Sequence, residues 1–416
     1  MDLTPRHGLP THRPEAAPSL LLTGGPSGAA WLPPGGVGDR GGPSGGPVLE
    51  TRWSGDAWIT TLDGRPAAGS PWDALAAAVQ TGGFPWVGAA TFELACAEAG
   101  LPHHTPATGS LGQRWTGVPS PLHRRPDGAN EGWSRRADPP PPGASSPALA
   151  LTPRWDEARH RDAVETIRDL ILEGRFYVAN LCVPFEGRLE GDPADLASAA
   201  FQRARPPFGA FLDLGDLTLL CLSMERLLAR RGERLWSEPI KGTVPRTGDG
   251  EADRLAAARL AADPKERAEH TMSVDLVRND LGRIARPGSV AVPRFMAVEP
   301  FPTVQHMVST VEARARPGLG LADLLRAVLP GGSVTGAPKH AVCAHLAEAE
   351  AGPRGFYCGA LGWIGPDGDL DLALPIRTAQ IQGNRVTYWA GGGITHRSEP
   401  GREWAELLLK TRAITG

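Results

Sequence analysis

Apolar residues recur along this chain with two rhythms, a period of two and a period near 3.6, in alternating patches. From Val48, VLETRWSGDAWITTL alternates well enough to predict a pair of strands. PWDALAAAVQTG predicts a short helix, with Pro71 near its start and a glycine at its stop. FPWVGAATFELA is strand-like again. After residue 150 a helix places Ala163, Ile167, Leu170 and Ile171 on one face. ADPKERAEHTMSVDLVRNDLGRI reads as another, with Asp263 as N-cap, Pro264 at the first position and Glu266 closing a capping box. Near the end, ALGWIGPDGDLDLALPIRTAQIQGNRVTYWAGGGI predicts successive antiparallel strands joined by Pro-Asp-Gly and Gly-Asn turns. A final helix covers EPGREWAELLLKTRAI. Antiparallel strands interspersed with helices favour an α+β fold over a doubly wound one.

Composition divides the chain further. Residues 1–47 are dense in Gly and Pro and predict disorder or coil. RADPPPPGASSP marks a Pro-rich linker, taken as 136–150. Between them lies an N-terminal region, 48–135, and after them a catalytic domain, 151–416. The formal net charge of -3 gives no sign of nucleic-acid binding. No apolar run reaches the ~20 residues of a membrane span. Five cysteines, an odd number without a CxxC pair, are expected to be reduced, buried thiols of a cytoplasmic protein.

Five segments carry candidate chemistry. In SEPIKGTVPR, Lys241 leaves a strand into a Gly242–Thr243 turn, where partial desolvation would make its amine nucleophilic. An ordinary solvated lysine is the commoner fate of such a residue. Glu266 and Glu269 share one helical face, and Glu269 has no capping duty. Glu403, Glu406 and Lys410 line up at i, i+3 and i+7 on the final helix. Two such glutamate pairs could clamp one Mg²⁺, which takes oxygen ligands; a solvated face with a Glu406–Lys410 ion pair is the bland alternative. GGSVTGAPK lacks the lysine and hydroxyl residue of a phosphate loop, yet its backbone N–H groups and Lys339 suit a carboxylate. Finally, Arg377 can hold a carboxylate in paired hydrogen bonds, and Gly391 to Gly393 permit close backbone approach.

Taken in order, PIKGT, ERAEHTMSVDLVRNDLGR, PGGSVTGAPK and GREWAELLLK resemble the signature segments of the chorismate-binding family over roughly residues 155–414. Residues 48–105 resemble its N-terminal region more loosely. The resemblance implies a two-layer antiparallel β-sandwich core surrounded by helices. By position it implies that Glu269 and Glu406 ligate Mg²⁺, with Glu266 and Glu403 as water-mediated neighbours. It assigns the chorismate site to Gly242, Thr243, Thr335, Arg377, Gly391, Gly393 and Lys410, and sets His306 beside the ring. Glu225, in SMERL, matches the acid/base carboxylate.

Within that family, lysine in the PIxGT slot marks the members that aminate chorismate at C4 through a covalent lysine, and alanine marks those that form anthranilate or isochorismate. Lys241 therefore implies 4-amino-4-deoxychorismate as product, on the way to p-aminobenzoate and folate. Two positions depart from the pattern. Val178 stands where glutamine or lysine is usual, and Val244 where arginine is common. The sequence holds no glutaminase or lyase segment, so ammonia is expected from a separate glutamine amidotransferase subunit or from free ammonium. An anthranilate-forming synthase subunit and a catalytically silent chorismate-binding subunit are the alternatives.

Overall fold

The computed structural model describes residues 20–22, 47–117, 147–301 and 304–416. The coil expected at the N-terminus and the Pro-rich linker fall mostly outside these residues. Leu20–Leu22, inside the expected coil, instead forms a short strand against Phe208–Asp213.

Two antiparallel sheets, of eight and twelve strands among the described residues, build the core. Their facing sides share one apolar layer. Phe208, Ala210, Leu219 and Cys221 come from the eight-stranded sheet, and Val87, Ala89, Leu361, Trp363 and Ala373 from the other. Period-two alternation does the sorting. Along Thr218–Ser223, Leu219 and Cys221 enter the layer between the sheets, whereas Leu220 and Leu222 turn outward. The outward side packs beneath the helices Glu157–Leu172, Pro193–Ala204, Lys339–Ala349 and Pro400–Thr415. The helices Pro71–Gly82, Pro264–Gly282 and Leu321–Val328 cover the opposite side. The two-layer sandwich wrapped by helices is therefore as expected.

The strand Trp86–Ala90 pairs with Ala360–Ile364, so the N-terminal region continues the twelve-stranded sheet. The strand expected over FPWVGAATFELA stops at Ala90. There the Thr91 side chain accepts from Leu94 N–H and starts a helix, Phe92–Glu98. A local N-cap overrides the strand texture.

The helix Pro264–Gly282 begins as expected at Asp263, whose side chain accepts from the N–H groups of Lys265 and Glu266. The capping box does not form. Asp263 N–H instead donates to Leu260 O in the preceding helix, Gly250–Ala262, which leaves the Glu266 carboxylate free. All five cysteines are free and buried. No helix among the described residues is long and apolar enough to cross a membrane.

Two corners position the site. The chain steps from the eight-stranded to the twelve-stranded sheet between Ser223 and Arg226, and steps back between Ala373 and Thr378. The corners are stitched together. Leu374 N–H donates to Glu225 O at 3.0 Å, Leu222 N–H to Arg377 O at 3.1 Å, and the Ser223 hydroxyl to Leu374 O at 2.6 Å. Glu225 and Arg377 thus sit on two joined corners where the sheets part.

Candidate active site

A cavity opens at this parting. Glu225, Lys241, Gly242, Thr243, Glu266, Glu269, His306, Arg377, Gly391, Gly393, Glu403, Glu406 and Lys410 all line it. Of the expected site residues only Thr335 does not. It is fully buried behind the wall, and its hydroxyl donates to Gly331 O at 3.0 Å. Its carbonyl accepts from Asn180 N–H at 2.8 Å. Lys339 is also taken: its ammonium donates to both oxygens of Asp280, each at 3.1 Å, and to Pro330 O.

Lys241 lies on the edge strand Ile240–Pro245, whose register against Val304–Arg314 shifts between Lys241 and Thr243. Gly242 makes that shift at φ +69°, a conformation that favours glycine. A Cβ there would also meet Leu260 Cδ1 at 2.6 Å and Glu266 Oε2 at 3.1 Å. The Lys241 ammonium donates to Ser333 O at 3.3 Å. The Ser333 hydroxyl in turn donates to Glu225 Oε1 at 2.6 Å. Burial pushes the Glu225 carboxyl up to about 7, against the opposing pull of the Ser333 hydroxyl and the Lys241 charge. An amine and a carboxyl acid thus meet across a single serine.

His306 is neutral, because burial pulls its imidazole down to about 3 and Arg377 lowers it further. Nδ1 lies 3.1 Å from the Thr243 hydroxyl and 3.0 Å from Gly242 O. The ring fixes the Lys241–Thr243 turn.

Arg377 holds φ +50° at its corner, and among the described residues its guanidinium has no hydrogen bond or ion pair. Burial lowers its pKa, which marks a guanidinium short of countercharge. A ligand carboxylate is the group it can accept.

Four carboxylates face the opposite wall. Glu269 and Glu403 are buried at 8% and 5% exposure, Glu266 is half-buried, and Glu406 stands at the mouth. Burial raises the Glu269 carboxyl to about 7, opposed by Lys241 and Lys265. Lys410, 2.8 Å away, holds Glu406 down at about 2. Among the described residues no three His, Cys, Asp or Glu side chains are gathered at metal-ligating geometry. The donor set nevertheless suits a hard cation, since all four groups lining this wall are carboxylates.

Glycine makes the room. Gly392 and Gly393 lie on the strand Arg385–Ile394, where an added Cβ would come 3.3 Å from Glu403 Oε2 and 3.6 Å from Glu269 Oε2, respectively. At Gly391 a Cβ would strike Cys182 Sγ and Leu181 O, both at 2.5 Å. Gly391→Ala is expected to destabilise the protein by about 1–3 kcal/mol through overpacking; the urea midpoint measures this. Val178, at a departure from the family pattern, puts Cγ2 3.7 Å from the Cβ position of Gly393.

Sequence reasoning did not single out Lys265, Asn180, Ser333, Tyr357 or Tyr388. Nor did it single out Arg354, which is 1% exposed and braces the wall from behind. Its guanidinium donates to Val334 O, Asn180 O and both oxygens of Glu350. No local motif marks these contacts, although Ser333 lies inside GGSVTGAPK and Lys265 inside ADPKERAEHTMSVDLVRNDLGRI.

This geometry belongs to a recognised class. The chain matches the chorismate binding enzyme family over residues 73–416, and it is a member of that family. It is 40% identical over 270 residues to the aminodeoxychorismate synthase component 1 of Klebsiella aerogenes, covering 64% of this chain and 60% of the relative. It is also 40% identical over 261 residues to the anthranilate synthase component 1 of Methanothermobacter thermautotrophicus, covering 62% and 56%. The match therefore spans little more than half the length of these curated relatives. The crystal structure of anthranilate synthase component I from Streptococcus pneumoniae superposes with a TM-score of 0.75 at 26% identity, covering 100% of this chain and 95% of that one.

Proposed function

We propose that this chain aminates chorismate at C4 to 4-amino-4-deoxychorismate, as an aminodeoxychorismate synthase component I. The observation that carries this reading is Lys241, linked through Ser333 to a Glu225 carboxyl raised to about 7. An anthranilate-forming reading has no use for an amine at that place.

The site suggests an order of events. Arg377 and Lys410 bind carboxylate oxygens of the dianionic substrate. The Lys241 amine adds at C2; C1=C2 shifts to C1=C6 and C5=C6 to C4=C5, and the C4–O bond breaks. The Glu225 carboxyl gives its proton to the departing hydroxyl, which leaves as water. Ammonia then adds at C4, the double bonds return and the C2–N bond breaks, restoring the Lys241 amine. The Glu225 carboxylate recovers a proton from the new C4 ammonium. Overall, chorismate and ammonia give aminodeoxychorismate and water.

Glu269 and Glu406 would hold Mg²⁺, with Glu266 and Glu403 beside them. When bound, that ion supplies positive charge that draws electron density from the ring through its carboxylate. Ammonia would come from a separate glutaminase subunit, and the product would feed p-aminobenzoate and folate synthesis in the cytoplasm.

Chorismate loss, followed by its ultraviolet absorbance, tests the reading: it should require both ammonium and Mg²⁺. Consumption independent of ammonium would remove amination. The acid role has its own signature. Glu225 donates only while protonated, so kcat/KM should fall as pH rises through about 7, by about tenfold per unit. Glu225→Gln should lower the rate and abolish that limb; a limb that persists in the variant assigns it to another group.

A further inference from the structure

Lys265 sits in the first turn of the helix Pro264–Gly282 and reaches across to the C-terminal helix. Its ammonium donates to Glu403 Oε1 at 3.0 Å and stands 3.5 Å from Glu269 Oε1. One carboxylate from each glutamate pair thus shares a single amine. The other oxygen of each carboxylate, Oε2, faces the glycine strand, beside Gly392 for Glu403 and Gly393 for Glu269. Both glutamates are thereby divided, with Oε1 turned to Lys265 and Oε2 turned to the cavity.

We infer that Lys265 is a positioning residue, a clamp that holds the Oε1 atoms of Glu269 and Glu403 so that their Oε2 atoms point into the cavity for a divalent cation. The inference rests on the reading of this wall as a metal site. Two buried carboxylates on separate helices would otherwise repel one another, and each side chain would be free to rotate. One ammonium offsets that repulsion and fixes both side-chain rotations. Glu266 and Glu406 are outside the clamp; Glu406 has its own partner in Lys410.

Charge and geometry predict opposite signs, which makes the inference testable. A lysine near a bound cation repels it, so on charge alone its removal should tighten binding. Loss of a clamp should weaken binding, typically about tenfold or more for a group that orients ligands.

The experiment is calorimetric titration of the full chain with Mg²⁺, and of the same samples with Mn²⁺ followed by electron paramagnetic resonance. Wild type, Lys265→Met and Lys265→Arg are compared, with Lys265→Gln used if the methionine variant does not fold. Binding about tenfold weaker in Lys265→Met or Lys265→Gln, partly restored in Lys265→Arg, supports the clamp. Unchanged or tighter binding in the neutral variants overturns it while leaving the metal site intact. A wild-type protein that binds neither cation overturns the metal site and the clamp with it.

Discussion

Lys241→Ala is expected to slow amination by about three orders of magnitude, on the order of 4 kcal/mol of barrier, while the fold is retained. The side chain is half-buried at a strand edge, and among the described residues its ammonium donates only to Ser333 O. Truncation of this half-buried side chain therefore leaves no large void. The substitution also removes a cation that lowers the carboxyls of Glu225 and Glu269. The remaining activity should accordingly show its acid limb at higher pH than the wild type. Steady-state rates at saturating ammonium, with circular dichroism as the fold control, measure both. A rate within a few-fold of wild type would eliminate the covalent step and leave Lys241 a purely electrostatic role.

Glu269→Gln should cost as much by a different route. Glu269 is the most buried member of its pair and carries a carboxylate oxygen without a hydrogen bond. A carboxamide has the same shape, so packing is preserved, but it is a neutral and poorer ligand for a hard cation. Turnover is expected to fall about a thousandfold, with Mg²⁺ no longer raising it at accessible concentrations. Titration of rate against Mg²⁺ is the measurement. An unchanged titration curve would take Glu269 out of the metal site.

Much of the site was legible because its residues lie on elements that announce themselves locally. Asp263 and Pro264 mark a helix start, and helical spacing then places Glu266 and Glu269 together. Glu403, Glu406 and Lys410 follow by the same spacing on the last helix. Which way Glu266 would turn was not legible. Its capping partner, Asp263 N–H, was claimed by Leu260 O, a contact set by how two consecutive helices abut.

The harder residues depend on contacts distant in sequence. Arg354 braces Asn180 O and Val334 O across long stretches of chain, and Lys339 is neutralised by Asp280 from another helix. The corners that place Glu225 and Arg377 arise because strands adjacent in sequence belong to different sheets. Alternation alone predicts strands but not their sheet. The same limit explains Thr335, whose motif suggested a substrate contact and whose hydroxyl closes on its own turn. Lys265 escaped notice because its value lies in joining two helices.

The central claim is the product. The purified chain is incubated with chorismate, Mg²⁺ and ammonium, and half the sample receives a lyase that converts aminodeoxychorismate to p-aminobenzoate. Products are separated by chromatography and identified by mass. p-Aminobenzoate is expected only where the lyase is added, and aminodeoxychorismate in its absence. Fluorescent anthranilate in both halves would contradict it, leaving the fold in place but removing Lys241 as the residue that decides the reaction.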